Sequence, residues 1–454
     1  MTYDQAIAFW FGRINYEYKT PRPSDLSLER IRALLELLDR PQERYRIVHV
    51  AGSKGKGSTS AFLASVLGQA GFQVGLFTSP HLESIRERVQ VNGAPISEEE
   101  LAQVISDIAE VSRRHGPDGK PLDETLTFFE IATALGYLHF ARRRIDIAVI
   151  EVGMGGRFDS TNVCRPALAI ITSISFDHTR QLGNTLALIA GEKAGIIKPG
   201  RPVLSGVRAP EARAVIEQTS RARGAPLRQV DVDLSYRYHP AQVLADVPPA
   251  VEVRTWKRSW PSMRLGLIGE HQGANAALAV AAVECLREQG LVIADRAVER
   301  GLAEVHWPAR LEVVGREPLI VLDCAHNVAS AAALVTALET SFPLPLEGRR
   351  LLVFAGSQDK DLPGILQALA PHFDCVVLTR FVGNQRAADP ADLFAFLPVD
   401  FAGDVEIIEP AGEAWRRARD LATSADLICV TGSVFLAGEV RPLLREEAAV
   451  AVGA

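Results

Sequence analysis

Ile47-Val48-His49-Val50-Ala51-Gly52-Ser53-Lys54-Gly55-Lys56-Gly57-Ser58-Thr59 runs from an apolar, β-branched stretch through a glycine-rich turn into a helical pattern. Three glycines let successive backbone N–H groups turn toward one point, and the start of the helix adds the positive end of its dipole. The segment therefore suits a phosphate. Lys56 would meet the β/γ-phosphates as a flexible point charge. The match to GxxxxGK[ST] is incomplete, because Val50 stands five before Gly55 and Gly57 replaces the usual hydroxyl after the lysine. The plain alternative is a strand–helix turn that holds no ligand.

Outward from this loop, apolar runs at Arg46–Ala51, Gln73–Thr78, Ile145–Val152 and Ala167–Ser175 alternate with amphipathic stretches at Ser58–Ala70, Ser97–Arg114 and Glu124–Arg143. The runs lack polar alternation, as expected of strands covered on both faces, and the alternation with helices predicts a doubly wound parallel sheet. In such sheets ligands bind beyond the C-terminal strand ends. Ser79, Glu151 and His178 all follow such ends. A hydroxyl, a carboxylate and an imidazole there could complete a magnesium shell with phosphate oxygens and water. Singly, Ser79 could cap a turn and His178 could hydrogen-bond its own loop.

A helix-rich middle follows at Thr185–Ile196 and Glu270–Gln289, enclosing Val230–Arg264, which reads as irregular strands with Trp256 and Trp260 in a small core. Alternation restarts with Pro318–Asp323, Arg350–Ala355, Cys375–Arg380, Val405–Ile408 and Asp426–Thr431. This second, smaller Rossmann-like α/β unit has about 145 residues, a normal domain size. The expected division is residues 1–307 and 308–454, cut near Trp307, with a frayed tail from Glu447.

Lys plus Arg number 49 and Asp plus Glu 55, a net charge of −6, with 47% apolar and 23% charged residues in 454. That composition excludes a disordered chain and lacks the basic footprint of a nucleic-acid binder. Five scattered cysteines, with no CxxC pair, suggest neither a disulfide framework nor structural zinc. With no basic leader and no apolar run of ~18 residues, the expectation is a cytoplasmic protein with no membrane partner.

Taken together, several segments resemble the folylpolyglutamate synthase/dihydrofolate synthase branch of the Mur ligase family. They are Gly52–Ser58, Thr78-Ser79-Pro80-His81-Leu82, Glu151–Asn162, Asp177-His178-Thr179, Gly191–Ile196, Trp307-Pro308-Ala309-Arg310, Asp323-Cys324-Ala325-His326-Asn327 and Thr431-Gly432-Ser433. The resemblance runs from residue 46 to about 440. It implies a Mur ligase-like P-loop ATPase domain followed by a glutamate-ligase domain. The implied activity is ATP-dependent ligation of L-glutamate to dihydropteroate, tetrahydrofolate, or both, through an acyl phosphate, in a monomer using one or two magnesium ions.

Position by position, the resemblance places Gly55, Lys56, Gly57 and Ser58 on the triphosphate and Ser79, Glu151 and His178 on magnesium. It places Asn275, at the start of a helix, on ATP, where a plain N-terminal cap is the alternative. Arg310 and Asp323 reach ATP from the second domain when the domains close. Lys193 matches a lysine that can be carbamylated into a second magnesium ligand; the ordinary alternative is an ion pair with Glu192 or Asp177. His326 and Ser433 resemble glutamate-holding positions, though His326 could instead cap the helix near Asn327. Thr127, Phe128, Phe129, Glu130, Phe158, Asp159 and Ser160 match the pterin-binding segments, with core phenylalanines as the alternative. Lys56, His178, Lys193 and Arg310 would carry the catalysis.

The chain departs from the family pattern at Ser53-Lys54, where Thr-Asn is usual, at Phe158-Asp159-Ser160, where Leu-Asp-Ala is usual, and at Leu26-Ser27-Leu28, where Leu-Gly-Leu is usual. The first adds a cation beside the triphosphate; the others bear on the acceptor. A peptidoglycan-type Mur ligase is disfavoured by the Thr-Ser-Pro-His-Leu segment. A P-loop phosphotransferase or switch would need no amino-acid site in a second domain.

Overall fold

Every residue of Arg46–Ala51 after the first is buried, as expected of a central strand with helices on both faces. This is β1 of a computed structural model that describes residues 1–16, 25–114, 116 and 119–453. The side chains of Arg180 and of residues from Glu447 onward are outside the described set; the backbone of the expected frayed tail is not frayed but helical as far as Gly453.

Two helices, α1 (Tyr3–Phe11) and α2 (Glu29–Leu37), precede β1. After it come α3 (Lys56–Gln69), β2 (Val74–Phe77), β3 (Val89–Val91), β4 (Ala94–Pro95), α4 (Glu98–Ser112), α5 (Phe128–Arg142) and β5 (Ile147–Glu151). Then follow β6 (Leu168–Ile171), α6 (Thr179–Leu182), α7 (Leu186–Lys193), β7 (Val203–Ser205), α8 (Pro210–Ala222) and β8 (Leu227–Gln229). The strands form one sheet in the order β4-β3-β2-β5-β1-β6-β7-β8. Neighbours from β2 to β8 run parallel, and β3 and β4 add an antiparallel edge. The chain steps from β1 out to β2, fills in β5, then crosses β1 to lay down β6. Strand order thus reverses around β1, which puts the phosphate loop at a switch point. The register Val50↔Glu151 and Ala51↔Ile171 brings the three strand ends level.

A three-stranded sheet of β9 (Ser235–His239), β10 (Ala250–Arg254) and β11 (Ser259–Arg264) comes next, with α9 (Glu270–Glu288) and α10 (Asp295–Ala303). Trp260 is buried, and its Nε1 donates to Glu284 at 3.2 Å while Arg258 lies 4.0 Å over its ring. Trp256 does not join it in a core. It is half-buried, donates to Glu288 at 3.0 Å and lies beneath Arg228, because an indole N–H at a rim can reach a carboxylate while the ring stays covered.

The remaining elements are β12 (Glu312–Arg316), β13 (Leu319–Leu322), α11 (Val328–Ser341), β14 (Arg350–Phe354), α12 (Leu362–Leu369), β15 (Cys375–Leu378), α13 (Pro390–Ala395), β16 (Asp404–Ile407), α14 (Ala411–Leu421), β17 (Leu427–Thr431) and α15 (Val434–Gly453). Their sheet has the order β12-β13-β17-β14-β15-β16, parallel except at β12. The mixed α/β architecture with two parallel sheets agrees with the expected fold class.

The chain divides into two compact units. One is Met1–Arg237, Val251–Arg264 and Gly273–Val305; the other is Tyr238–Ala250, Leu265–Gln272 and His306–Ala454. A single cut near Trp307 differs from this division by two short excursions. Ala241 and Val243 share a core cluster with Phe342 and Leu352, and a boundary sought along the chain does not see a segment that leaves and returns. No helix among the described residues is long and apolar enough to cross a membrane. All five cysteines are buried free thiols.

Candidate active site

Gly55 is the N-cap of α3 and has φ 81°. A Cβ there would also overlap the Asn275 amide, so the position is closed to other residues on two counts. The loop is fastened to the segment after β6: Ser53 N–H donates to the Ser173 carbonyl at 2.7 Å and Lys54 N–H to Ser173 Oγ at 3.1 Å. Thus tethered, its carbonyl at Gly52 gathers two ammonium groups. Lys56 Nζ donates to it at 3.1 Å and Lys193 Nζ at 2.9 Å. Lys54 Nζ lies 2.9 Å from Asp177 Oδ2. Lys193 is therefore held by a backbone carbonyl, not by Glu192 or Asp177; Glu192 faces Arg157 at 3.4 Å. Burial first, then the charge of Lys56 and more weakly that of Lys54, push the Lys193 ammonium down to about 7 against the opposing charge of Asp177, because a buried cation beside like charges favours its neutral form.

Ser79 and Glu151 are brought together, with Ser79 N–H donating to Glu151 Oε2 at 3.2 Å. Glu151 is buried at the end of β5. His178 is exposed, has φ 50° and is placed by Asp177, whose Oδ1 accepts its N–H at 3.1 Å. Among the described residues there is no group of three or more His, Cys, Asp or Glu able to hold a metal. The Glu151 carboxylate and the Ser79 hydroxyl are hard oxygen donors of the kind magnesium takes, with waters and phosphate oxygens completing its shell.

Asn275 lies in the second turn of α9, which starts at Glu270, so it is neither the start of a helix nor a cap. Its Oδ1 lies 3.4 Å from Thr59 Oγ1, against the phosphate loop. The pterin candidates divide. Phe128 is a core residue, stacked on Trp10 at 5.1 Å with the Arg88 guanidinium 5.2 Å from its ring centre; with its faces taken, it is withdrawn from the pterin set. Thr127 and Glu130 form the capping box of α5, and Glu130 also pairs with Arg30 at 3.1 Å. Phe129 is half-buried and packs against Gly153 and Phe77. Phe158 is 46% exposed. Ser160 Oγ meets Thr133 Oγ1 at 2.8 Å. Asp159 is buried and accepts from Met154 N–H at 2.9 Å and Thr161 N–H at 3.0 Å, with burial raising its carboxyl and these bonds opposing. Its oxygens brace the glycine loop after β5, a role that needs no pterin.

In the second unit, Asp323 is buried at the end of β13 and accepts from Leu311 N–H at 2.9 Å and Ala325 N–H at 2.7 Å. Burial raises its carboxyl, against the opposing charge of Arg310. Arg310 is half-buried and Nη1 donates to the Ala309 carbonyl at 2.8 Å. His326 Nδ1 lies 2.8 Å from the Cys324 carbonyl, and Asn327, not His326, caps α11. Ser433 Oγ accepts from Phe435 N–H at 3.1 Å at the start of α15. The sequence reading missed Glu312 and Arg441, which lie beside Arg310 in this unit; residues 129 apart leave no local spacing signal.

A phosphate loop at a switch point, lysines converging on it and an acidic strand end beside it define a nucleotide-dependent enzyme of the P-loop ligase class. The Mur ligase middle domain matches residues 50–283 and the Mur ligase, glutamate ligase domain matches residues 309–434. The chain belongs to the Mur ligase family, in its folylpolyglutamate synthase/dihydrofolate synthase branch. It is 34% identical to the dihydrofolate synthase/folylpolyglutamate synthase of Bacillus subtilis, over 98% of this chain and 99% of that protein. Its structure is similar to that of E. coli FolC in complex with DHPP and ADP, with TM-score 0.84 and 28% identity over 98% of each chain. It is also similar to Mycobacterium tuberculosis folylpolyglutamate synthase complexed with ADP, with TM-score 0.87 and 33% identity over 97% and 98% of the chains.

Proposed function

We propose that this chain joins L-glutamate to dihydropteroate, to tetrahydrofolate, or to both. ATP phosphorylates the acceptor's carboxylate, and the glutamate amine displaces phosphate from the acyl phosphate. A carboxylate is a poor electrophile because its leaving group would be oxide, so the protein's work is positioning and charge neutralisation. The observation that carries this reading is the meeting of Lys56 and Lys193 on the Gly52 carbonyl at the mouth of β1. Lys56, Gly55, Gly57 and Ser58 hold the triphosphate, Asn275 supports the loop, and Arg310 with Asp323 serves the nucleotide. Phe129, Phe158 and Ser160 remain the pterin candidates, and His326 and Ser433 the glutamate candidates.

Ser79, Glu151 and His178 would hold magnesium, which supplies charge neutralisation on the phosphates. With a pKa of about 7, Lys193 presents a large neutral fraction at physiological pH, the form that takes up carbon dioxide as a carbamate. A cytoplasmic monomer acting on small molecules completes the proposal.

The direct test is glutamate-dependent ADP release with dihydropteroate and with tetrahydrofolate in parallel. Turnover with at least one is expected; silence with both, while ATP still binds, would overturn the folate reading. Glu151→Gln should shift the magnesium requirement upward by about tenfold, since one carboxylate charge near a divalent ion is worth roughly 1.4 kcal/mol at that fold-change. An unchanged magnesium curve would remove Glu151 from the metal site.

A further inference from the structure

Arg310 stands between two residues with left-handed backbones, Ala309 at φ 53° and Leu311 at φ 50°. Neither is glycine, and a non-glycine pair persists in that region only where the surroundings over-determine it. Two carboxylates do so. Glu312 Oε2 accepts Ala309 N–H at 2.8 Å, and Asp323 Oδ2 accepts Leu311 N–H at 2.9 Å. Asp323 belongs to the nucleotide reading already given; Glu312 does not.

Glu312 is gripped in turn by Arg441 of α15, with Nε 2.9 Å from Oε2 and Nη2 2.7 Å from Oε1. The Arg441 and Glu312 side chains are 9% and 17% exposed. Burial raises the Glu312 carboxyl, but Arg441 and the Ala309 amide outweigh it, so the group lies below its ordinary value and stays ionised.

The geometry points to Arg441 and Glu312 as a positioning pair that sets the direction of the Arg310 guanidinium. The inference rests on the reading of Arg310 as a phosphate-facing arginine. A buried ion pair is a poor way to gain stability, since desolvation cancels much of the attraction. Its use here lies in the third bond, through which the fixed carboxylate clamps the amide preceding Arg310. Arg441 also lies about two helical turns into α15, whose first residue, Val434, follows Ser433. The helix that starts beside Ser433 thereby also carries the buckle on the Arg310 turn.

The test compares Arg441→Met, Arg441→Lys, Glu312→Gln, Arg310→Ala and the Arg310→Ala/Arg441→Met double variant in glutamate-dependent ADP release. Amide exchange at Ala309 and Leu311 is measured alongside. Arg441→Met should lower kcat about 30-fold with the KM for ATP within about threefold, the pattern of an interaction made in the transition state. Arg441→Lys should recover most of the loss, and the Met change should add nothing on top of Arg310→Ala. Exchange at Ala309 should rise at least about tenfold in Arg441→Met and in Glu312→Gln. Equal losses with and without Arg310 would overturn the pairing, as would unchanged exchange at Ala309. Near-normal turnover of Arg310→Ala would instead sink the phosphate reading of Arg310, a separate result. Should Arg441→Met fail to fold, Glu312→Gln and Arg441→Lys carry the same comparison.

Discussion

Lys56→Ala should lower glutamate-dependent ADP release by about 10³-fold or more, while the chain stays folded. The lysine caps no helix and closes no core; its ammonium bonds one carbonyl, Gly52, at 3.1 Å. Its removal therefore costs the fold little. The charge it would place on a transferring phosphoryl group is of the kind whose loss costs about 10²–10³ for one donor, with weakened triphosphate binding added. Steady-state kinetics with ATP varied, alongside thermal melting, check both halves. Near-normal turnover would sink the phosphate-loop assignment, and a collapsed melting curve would show the lysine to be structural.

Lys193→Arg is the second large effect, with an expected loss of about 10²-fold. Arginine keeps the cation but holds its proton at all working pH values, so it can neither become neutral nor carry a carbamate. In the unaltered chain, activity should climb as pH rises through about 7, where Lys193 loses its proton, and should drop when carbon dioxide is stripped from the buffer. A role as a plain cation predicts the opposite sign, with activity falling above that pH, and a tolerated arginine. Stability follows the same proton. Between about 7 and the ordinary lysine value of 10.5 the unfolded chain binds it and the folded chain does not, so this group makes folding more favourable as pH rises through that window.

The features legible in the sequence were those written in consecutive residues. Arg46–Ala51 was read with its observed bounds because a strand buried on both faces is apolar throughout. The expected run Ala167–Ser175 ends early, at Ile171. Thr172 and Ser173 are spent instead on tethering the phosphate loop, with Thr172 Oγ1 and Ser173 Oγ both donating to the Lys54 carbonyl. Phe128 and Phe129 are neighbours of one residue type on a helix buried nearly all round, and composition gives no sign that one packs on Trp10 while the other faces Gly153. The Lys54–Asp177 and Glu312–Arg441 pairs join residues 123 and 129 apart. No period connects them; only the fold does.

Lys54, Lys56 and Lys193 gather around one glycine turn, and Asp177 offsets only part of their mutual repulsion, so a polyanion bound there would relieve the rest. Free energy of that kind is returned in proportion to ligand concentration, since whatever binds only the native form deepens its well. If the loop holds ATP, adding the nucleotide should raise the melting temperature in step with its concentration, and should do so less in a chain that has lost one of the three lysines.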